Sequence, residues 1–212
     1  MFTGLIEYVG SVLQVRPVPT GKQLRIDLGP LSEGTRVGDS LAVDGVCLTV
    51  TAVQGTHADF DVVATTLAAT TLGGFTVHSR VNLERPISLG GRLGGHLVAG
   101  HVDGLATLRT WSRQGMSKIA HFQTNRELTD FMIPRGSVAL NGVSLTVASL
   151  ENGAFSVALI PVTLSGTNLD QLQAGQTVNV ETDLIGKYVA KLVAADRKER
   201  ITMETLREQG FA

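Results

Sequence analysis

Four side chains capable of nucleophilic or proton-transfer chemistry stand close to glycines in this sequence. Cys47 and Ser144 each come two residues after the glycine of an Asp-Gly or Asn-Gly pair. Both are compact groups that form hydrogen bonds or act as nucleophiles. His96 and His101 lie in the Gly-rich stretch 94–104, where an imidazole can move protons near neutral pH. A buried packing role for the cysteine, and a structural hydrogen-bonded role for each histidine, are the alternatives.

Several other chemistries are not indicated by the motifs. Two histidines five residues apart among glycines do not suit a helical metal site, and a single cysteine supplies no Cys-pair zinc site. No Gly-x-Gly-x-x-Gly or phosphate-binding loop follows a predicted strand. A hydrolase could be assembled from Ser144, His101 and Asp183, but the Gly-x-Ser-x-Gly turn of such enzymes is missing. These patterns predict neither a metal site nor a nucleotide site.

The elements that must position these residues are repeated within the chain. Residues 40–50 and 137–147 are identical at seven of eleven positions, with an offset of 97. The same offset aligns residues 81–84 with residues 178–181. Collinear matches of this kind indicate a duplicated domain. Cys47 and Ser144 occupy corresponding positions of the two copies, which makes the difference between them informative.

The repeat also sets the domain boundaries. The first half covers residues 1–97, the second half covers residues 98–183, and residues 184–212 belong to neither copy. The glycines around Gly94 and Gly95 indicate a short, flexible connection between the halves.

Within each half the pattern is typical of strands. Residues 23–28 and 57–63 alternate polar and apolar side chains, and residues 40–43 and 47–50 flank an Asp-Gly turn. About six short strands in fewer than about 100 residues favour a small antiparallel barrel, so we predict an all-β fold. Helical patterns are short within the halves, at residues 66–69 and 125–131 in particular.

The tail carries a helical pattern. Its apolar residues recur along one stripe: Leu184, Ile185, Tyr188, Val189, Leu192 and Val193. Asp183 is placed to cap the start of this helix, and basic residues lie toward its other end: Lys191, Arg197 and Lys198. The stripe either covers the chain's own barrel or joins copies of the chain, and residues 201–212 would add a frayed turn or two.

Composition excludes some classes of partner. The 212 residues include 18 basic and 19 acidic side chains, so no positive excess favours nucleic acid. No apolar run approaches the roughly 18 residues of a membrane span. The N-terminus lacks the basic and apolar regions of a signal peptide, and a single cysteine fits a reducing compartment. We therefore expect a cytoplasmic protein with neither a nucleic-acid nor a membrane partner.

Taken together, the motifs resemble those of the riboflavin synthase family. The matching segments are residues 1–7 with Val9-Gly10, residues 44–50, 94–104 and 141–147, and Ile160-Pro161 with Thr163-Leu164. They cover almost the whole chain and include the duplication. The resemblance implies two tandem six-stranded antiparallel Greek-key barrels and a C-terminal helix that holds a homotrimer together.

The resemblance also implies a reaction. The family converts two molecules of 6,7-dimethyl-8-ribityllumazine into riboflavin and 5-amino-6-ribitylaminouracil by transferring a four-carbon unit, without cofactor or metal. The active site of the family forms between the first barrel of one chain and the second barrel of a neighbour. Lumazine synthase is a candidate partner. We expect the main contacts of each pocket to lie within one repeat.

The functional residues of the family fall on definite positions of this sequence. Those implied in turnover are Phe2, Ser40, Cys47, His101, Ser144 and Asp183. Those implied in substrate contact are Gly4, Leu5, Ile6, Cys47, Leu48, Thr49, Asp61, Val62, Val63, Ala64, Thr65, Thr66, Gly100, His101, Val102, Arg135, Ser144, Leu145, Thr146, Ile160, Pro161, Val162, Thr163, Leu164 and Ser165. His101 suits the base for the acidic C7 methyl group, and Cys47, Ser144 or water could add at C7 of the acceptor.

Some positions depart from the family pattern. They are Asp44, Thr65, Arg135, Asn141, Val162 and Ser165. Arg135 keeps the positive charge of a common lysine but changes the donor geometry. The departures bear on the ribityl contacts, above all in the second barrel. A non-catalytic lumazine- or flavin-binding protein of the same fold is the alternative function, and the presence of Cys47, His101 and Ser144 favours the enzyme.

Overall fold

Twelve antiparallel strands build the described part of the chain. The computed structural model describes residues 1–199 together with residues 207 and 210. The strands of the first half are β1 Tyr8–Val18, β2 Gly21–Asp27, β3 Ser40–Val43, β4 Val46–Gln54, β5 His57–Val63 and β6 Arg80–Glu84. Those of the second half are β7 Gly104–Gln114, β8 Ser117–Gln123, β9 Ser137–Leu140, β10 Val143–Glu151, β11 Ala154–Leu159 and β12 Thr177–Thr182.

Each set of six strands closes into a barrel. The order around the first barrel is β1-β2-β5-β4-β3-β6, and the order around the second is β10-β11-β8-β7-β12-β9. With corresponding strands aligned, the two orders are the same, as a duplicated domain requires. The prediction of an all-β chain with two tandem six-stranded barrels is confirmed.

The strands form because their side chains alternate between the barrel interior and the outer surface. In β2, Leu24 and Ile26 are fully buried. Arg25 lies between them and pairs on the outside with Asp59 of β5, Nε to Oδ1 at 2.7 Å. The hydrogen bond from Arg25 lowers the pKa of Asp59. Each barrel thereby keeps an apolar interior with period-two alternation along its strands.

Two equivalent turns explain why the motifs carry Asp-Gly and Asn-Gly. Asp44 and Asn141 have φ of 45° and 44°, and the glycines that follow have φ of 76° and 78°. Two consecutive residues with positive φ form the tight hairpin turn that these residue pairs favour. A Cβ at Gly45 would lie 2.7 Å from the backbone nitrogen of Gly142, so the two turns abut.

The barrels meet at these turns through reciprocal hydrogen bonds. Asn82 Nδ2 donates to the carbonyl of Asn141 at 3.0 Å, and Asn179 Nδ2 donates to the carbonyl of Asp44 at 2.9 Å. Asn168 breaks the symmetry, because its Nδ2 donates to Asp44 Oδ1 at 2.9 Å. The same side chain also hydrogen-bonds Asn82, Asn141 and the carbonyl of Arg80. Apart from the side-chain bonds of Asn168, the contacts at the turns are paired as an approximate two-fold axis between the barrels requires.

The connection between the halves is packed at its C-terminal end. Phe2 and Val98 exchange backbone hydrogen bonds of 2.7 and 3.1 Å and are both buried. A Cβ at Gly95 would lie 2.1 Å from the carbonyl oxygen of Thr3 and 2.9 Å from Ser144 Cβ. Glycine is therefore required at position 95, because two other segments press against it. The flexibility predicted for the join stays a prediction.

Short helices follow the strands, and one longer helix ends the described chain. They are α1 Ala64–Ala69, α2 Arg126–Thr129, α3 Pro161–Ser165 and α4 Leu184–Glu199. Asp183 caps α4 as predicted, accepting a hydrogen bond from the Ile185 amide at 3.0 Å. Side chains from residue 195 onward, including Arg197 and Lys198, lie outside the described residues, as does most of 201–212. No helix among the described residues is long and apolar enough to cross a membrane.

The apolar stripe of α4 does not cover its own barrel. Five of its six residues are between 49% and 70% exposed: Ile185, Tyr188, Val189, Leu192 and Val193. Helix and barrel are joined instead by an ion pair, Lys187 Nζ to Asp103 Oδ2 at 2.7 Å. Of the two alternatives for the stripe, the structure leaves it available to another copy of the chain.

Candidate functional site

Two short segments lie between the barrels and bring the chemistry-bearing residues together. We call residues 2–6 the leading segment and residues 98–102 the linking segment. Ser144 donates its backbone N–H to the carbonyl of Gly4 at 2.8 Å, and Cys47 donates its N–H to the carbonyl of Gly100 at 2.9 Å. The leading segment thus docks on the second barrel and the linking segment on the first.

Glycine is required at both docking points. Gly4 and Gly100 have φ of 76° and 83°. A Cβ at Gly4 would lie 2.6 Å from Ser144 Cβ, and one at Gly100 would lie 2.6 Å from Cys47 Cβ. Glycine at positions 4 and 100 therefore allows the backbone of each segment to approach the facing strand closely.

The docking crosses the boundary between the halves, which corrects one expectation. Ile6 of the first half packs against the core of the second barrel, and Val102 of the second half packs against the core of the first. Each predicted pocket is therefore bordered by a segment of the other copy, which disagrees with the expectation that its main contacts lie within one repeat. The sequence carries no local signal for this exchange, because the two partners are about 50 to 140 residues apart.

Ser144 forms a short hydrogen bond with His96, at 2.7 Å between Oγ and Nδ1. His96 is 8% exposed, and burial lowers its pKa while the nearby Asp183 charge acts in the opposite direction. Its Nε2 is buried without a hydrogen-bond partner among the described residues. A neutral imidazole at this position can accept the Ser144 hydroxyl proton, with Nε2 free for a bound molecule.

The sequence predicts that His96 can transfer protons but does not place it in the site. Its partner is 48 residues away, and no hydrogen bond among the described residues joins Cys47, the counterpart of Ser144, to a histidine. The pair also bears on the hydrolase alternative, because the histidine that contacts Ser144 is His96 rather than His101. The contacts give the Ser144, His101 and Asp183 arrangement no support.

His101 is held by its backbone and exposes its side chain. Its N–H donates to Glu181 Oε2 at 3.0 Å. The imidazole therefore stands at the surface, on the segment that docks beside Cys47. A residue so placed is accessible to a substrate that covers this surface.

Other predicted site residues lie on matching elements of the two barrels. Thr49 and Thr146 are exposed on β4 and β10, whereas Leu48 and Leu145 face the cores. Ser40 pairs with Thr49 across the β3–β4 ladder. The exposed threonines therefore form an outer surface next to Cys47 and Ser144.

The remaining predicted contacts fall on the ends of β5 and β11 and the helices after them. Asp61 to Val63 end β5 and Ala64 to Thr66 begin α1, while Ile160 caps α3 and residues 161–165 form it. Asp61 accepts a hydrogen bond from Gln23 Nε2 at 2.9 Å. Pro161, Leu164 and Ser165 line a cavity of about 590 Å³. Phe2 is fully buried between the barrels and holds the leading segment without reaching the surface.

The two surfaces differ in charge as well as in nucleophile. Arg135 and its counterpart Gly38 donate equivalent backbone hydrogen bonds, to Val147 and Val50 at 2.9 Å each. Arg135 adopts φ of 65°, a conformation that an arginine seldom takes. The second barrel thus presents a cation where the first presents none. Among the described residues, no group of three His, Cys, Asp or Glu side chains is placed to hold a metal ion.

The fold and these paired surfaces define a class of protein: a tandem barrel with two similar but chemically inequivalent surfaces. The family described as Lumazine binding domain matches twice, at residues 3–86 and 99–183. The riboflavin synthases of Actinobacillus pleuropneumoniae and Bacillus subtilis (strain 168) are 35% and 37% identical over the full length of both chains. That of Brucella abortus (strain 2308) is 40% identical over 91% of this chain and 98% of its own.

Solved structures agree with the fold. LumP complexed with riboflavin superposes with a TM-score of 0.79 at 26% identity, over 86% of this chain and 99% of that chain. LumP complexed with 6,7-dimethyl-8-ribityllumazine gives a TM-score of 0.77 at 23% identity. The chain belongs to the lumazine-binding domain family and, within it, to the riboflavin synthases.

Proposed function

We propose that this protein catalyses the dismutation of two 6,7-dimethyl-8-ribityllumazine molecules into riboflavin and 5-amino-6-ribitylaminouracil. One observation carries the proposal: the chain has two corresponding but chemically different surfaces. Riboflavin synthases match this chain from end to end. A reaction between two copies of one substrate needs two such surfaces. Holding the two rings in a reactive arrangement supplies much of the rate, and no metal or cofactor is invoked.

The two surfaces divide the chemistry. The second barrel offers the Ser144 hydroxyl hydrogen-bonded to His96, together with Arg135, which the resemblance places among the substrate contacts. The first barrel offers Cys47 and the exposed imidazole of His101. We assign His101 to proton abstraction from the C7 methyl group, whose anion delocalises into the pteridine. Ser144, Cys47 or water adds at C7 of the acceptor.

We further propose a homotrimer held by α4, in which the first barrel of one chain faces the second barrel of a neighbour. The exposed apolar stripe of α4 supports this assembly, because an isolated chain would leave these side chains in water. We propose the functional division into residues 1–97, 98–183 and 184–212, and a cytoplasmic location, which suits the free thiol of Cys47. A complex with lumazine synthase stays a prediction.

A lumazine- or flavin-binding protein without catalysis is the second candidate, supported by the fold shared with LumP. Incubation of the purified protein with the lumazine separates the two. The enzyme consumes the lumazine absorption band and produces the flavin band, with one riboflavin formed for two lumazines consumed. A binding protein shifts or quenches the lumazine fluorescence but leaves its concentration unchanged.

A further inference from the structure

Two buried carboxylates occupy corresponding positions in the barrels, and the chemistry described so far uses neither. Glu84 ends β6 and Glu181 lies in β12, and each is 3% exposed. Burial raises the pKa of both carboxyl groups, while hydrogen bonds from backbone N–H groups act in the opposite direction. A carboxylate removed from water needs several donors, and here they come mostly from backbone amides.

The donors belong to the leading and linking segments. Glu84 accepts from the N–H and hydroxyl of Thr3, at 2.6 Å each, and from the N–H of Gly4 at 3.0 Å. Glu181 accepts from the N–H groups of Ala99, Gly100 and His101, at 2.6, 2.9 and 3.0 Å. In both cases the donors include the glycine whose carbonyl receives the N–H of Ser144 or Cys47.

Each carboxylate therefore acts on the opposite barrel. Glu84 belongs to the first barrel, but the segment that it holds docks on Ser144 of the second. Glu181 belongs to the second barrel, and its segment docks on Cys47 of the first. Glutamine cannot replace glutamate here without loss, because one of its two polar atoms is an NH₂ group that would face a backbone N–H.

We propose that Glu84 and Glu181 are positioning residues for the two lumazine surfaces, each holding the chain segment that completes the pocket of the other barrel. Glu84 sets the edge of the second pocket, and Glu181 sets the edge of the first, including the backbone of His101. The proposal deepens the proposed function and rests on it, because the pockets are those assigned to lumazine.

The single cysteine provides a reporter for the first pocket alone. Cys47 is half-buried on β4, so its alkylation by iodoacetamide can be followed by mass spectrometry. We expect 6,7-dimethyl-8-ribityllumazine to protect Cys47 in the wild-type protein. In Glu181→Gln, protection should require roughly 10- to 100-fold more lumazine. In Glu84→Gln, protection should match the wild type although turnover falls, because that variant disturbs only the second pocket.

A surface substitution of the same chemical kind controls for nonspecific effects. Asp130→Asn changes a carboxylate to an amide in an exposed ion pair with Arg126, and should leave both turnover and protection unchanged. If Glu181→Gln does not fold, Glu181→Asp withdraws the carboxylate by one methylene and serves in its place. Wild-type protection by lumazine in Glu181→Gln, or equal loss of protection in both glutamine variants, would overturn the proposal.

Amide hydrogen exchange without ligand tests the same proposal independently of lumazine binding. The N–H groups of residues 99–101 should exchange faster in Glu181→Gln, and those of residues 3 and 4 faster in Glu84→Gln. Unchanged exchange at these positions contradicts the positioning role. A different result would contradict the proposed function instead: exchange altered as expected in the two variants, but a wild-type protein that neither binds nor converts lumazine.

Discussion

At the residue scale, the inequivalence of the two pockets rests on a few side chains. Ser144 has a histidine partner, whereas Cys47 at the corresponding position contacts the backbone of Gly100. His101 stands on the linking segment, where the leading segment has Leu5. We expect a group that is present in only one copy to serve the chemistry rather than the binding task that both copies share.

His101→Gln should slow turnover by roughly 10²- to 10⁴-fold, the usual contribution of a general base, with little change in lumazine affinity. The imidazole is exposed and only its backbone is engaged, so the substitution leaves the docking of the segment intact. Steady-state kinetics and fluorescence titration measure the two effects. His57→Gln, in a part of β5 remote from the predicted contacts, is the matched control. Turnover near the wild-type rate would remove His101 from the mechanism.

Ser144→Ala and His96→Asn should have non-additive effects on turnover. The two side chains share one hydrogen bond of 2.7 Å, so the double variant should be less impaired than the summed singles, by about 0.5–1.5 kcal/mol. Cys47→Ala combined with His96→Asn should be additive, because Cys47 lies on the other barrel. If the effects of Ser144→Ala and His96→Asn were additive, His96 would contribute only to the fold and not to turnover through Ser144.

At the element scale, the abutting turns between β3 and β4 and between β9 and β10 join the barrels. They are chemically unlike, since one carries Asp44 and the other Asn141. Asp44 is 2% exposed and accepts hydrogen bonds from the Asn82 N–H and Asn168 Nδ2. Burial raises its pKa to about 7.

This carboxyl group should make stability depend on pH. In the unfolded chain an aspartate has a pKa of about 4, so the folded chain binds the proton more tightly. The stabilising contribution is therefore complete below about pH 4 and is lost as the pH rises to about 7, at about 1.4 kcal/mol per unit of pKa difference. Asp44→Asn, which copies Asn141, should raise Tm at pH 8 much more than at pH 5. An equal change at both pH values would contradict this ionisation.

The strands and turns could be predicted from sequence, because their determinants are local. The alternation of residues 57–63 gave β5 with its observed bounds, and the positive φ values of Asp44-Gly45 suit the predicted hairpin. The docking of residues 2–6 and 98–102 could not be predicted in this way. It depends on Glu84 and Glu181, each about 80 residues from its donors, and on steric contacts at Gly95 that only the closed barrels create.

At the scale of the whole molecule, α4 should govern assembly more than folding. Deletion of residues 184–212 leaves both barrel cores complete and removes one ion pair, Lys187 to Asp103. The truncated chain should keep its far-UV circular dichroism, sediment as a monomer or dimer, and lose turnover. Leu192→Asp tests the same point more gently, because Leu192 is 70% exposed within the chain. A folded truncated protein that sediments with the same assembly state as the full-length protein would contradict a role in assembly.

We propose that the first pocket of one chain and the second pocket of a neighbouring chain must act together. Thr49 and Thr146 are exposed at corresponding positions of β4 and β10, so Thr49→Trp should block the first pocket and Thr146→Trp the second without disturbing the cores. Each variant alone should be inactive. Co-expression with two different affinity tags allows mixed assemblies to be isolated, and their riboflavin production from 6,7-dimethyl-8-ribityllumazine can then be measured. Recovery of a substantial fraction of wild-type activity is the predicted result, and mixed assemblies as inactive as their parents would contradict the account.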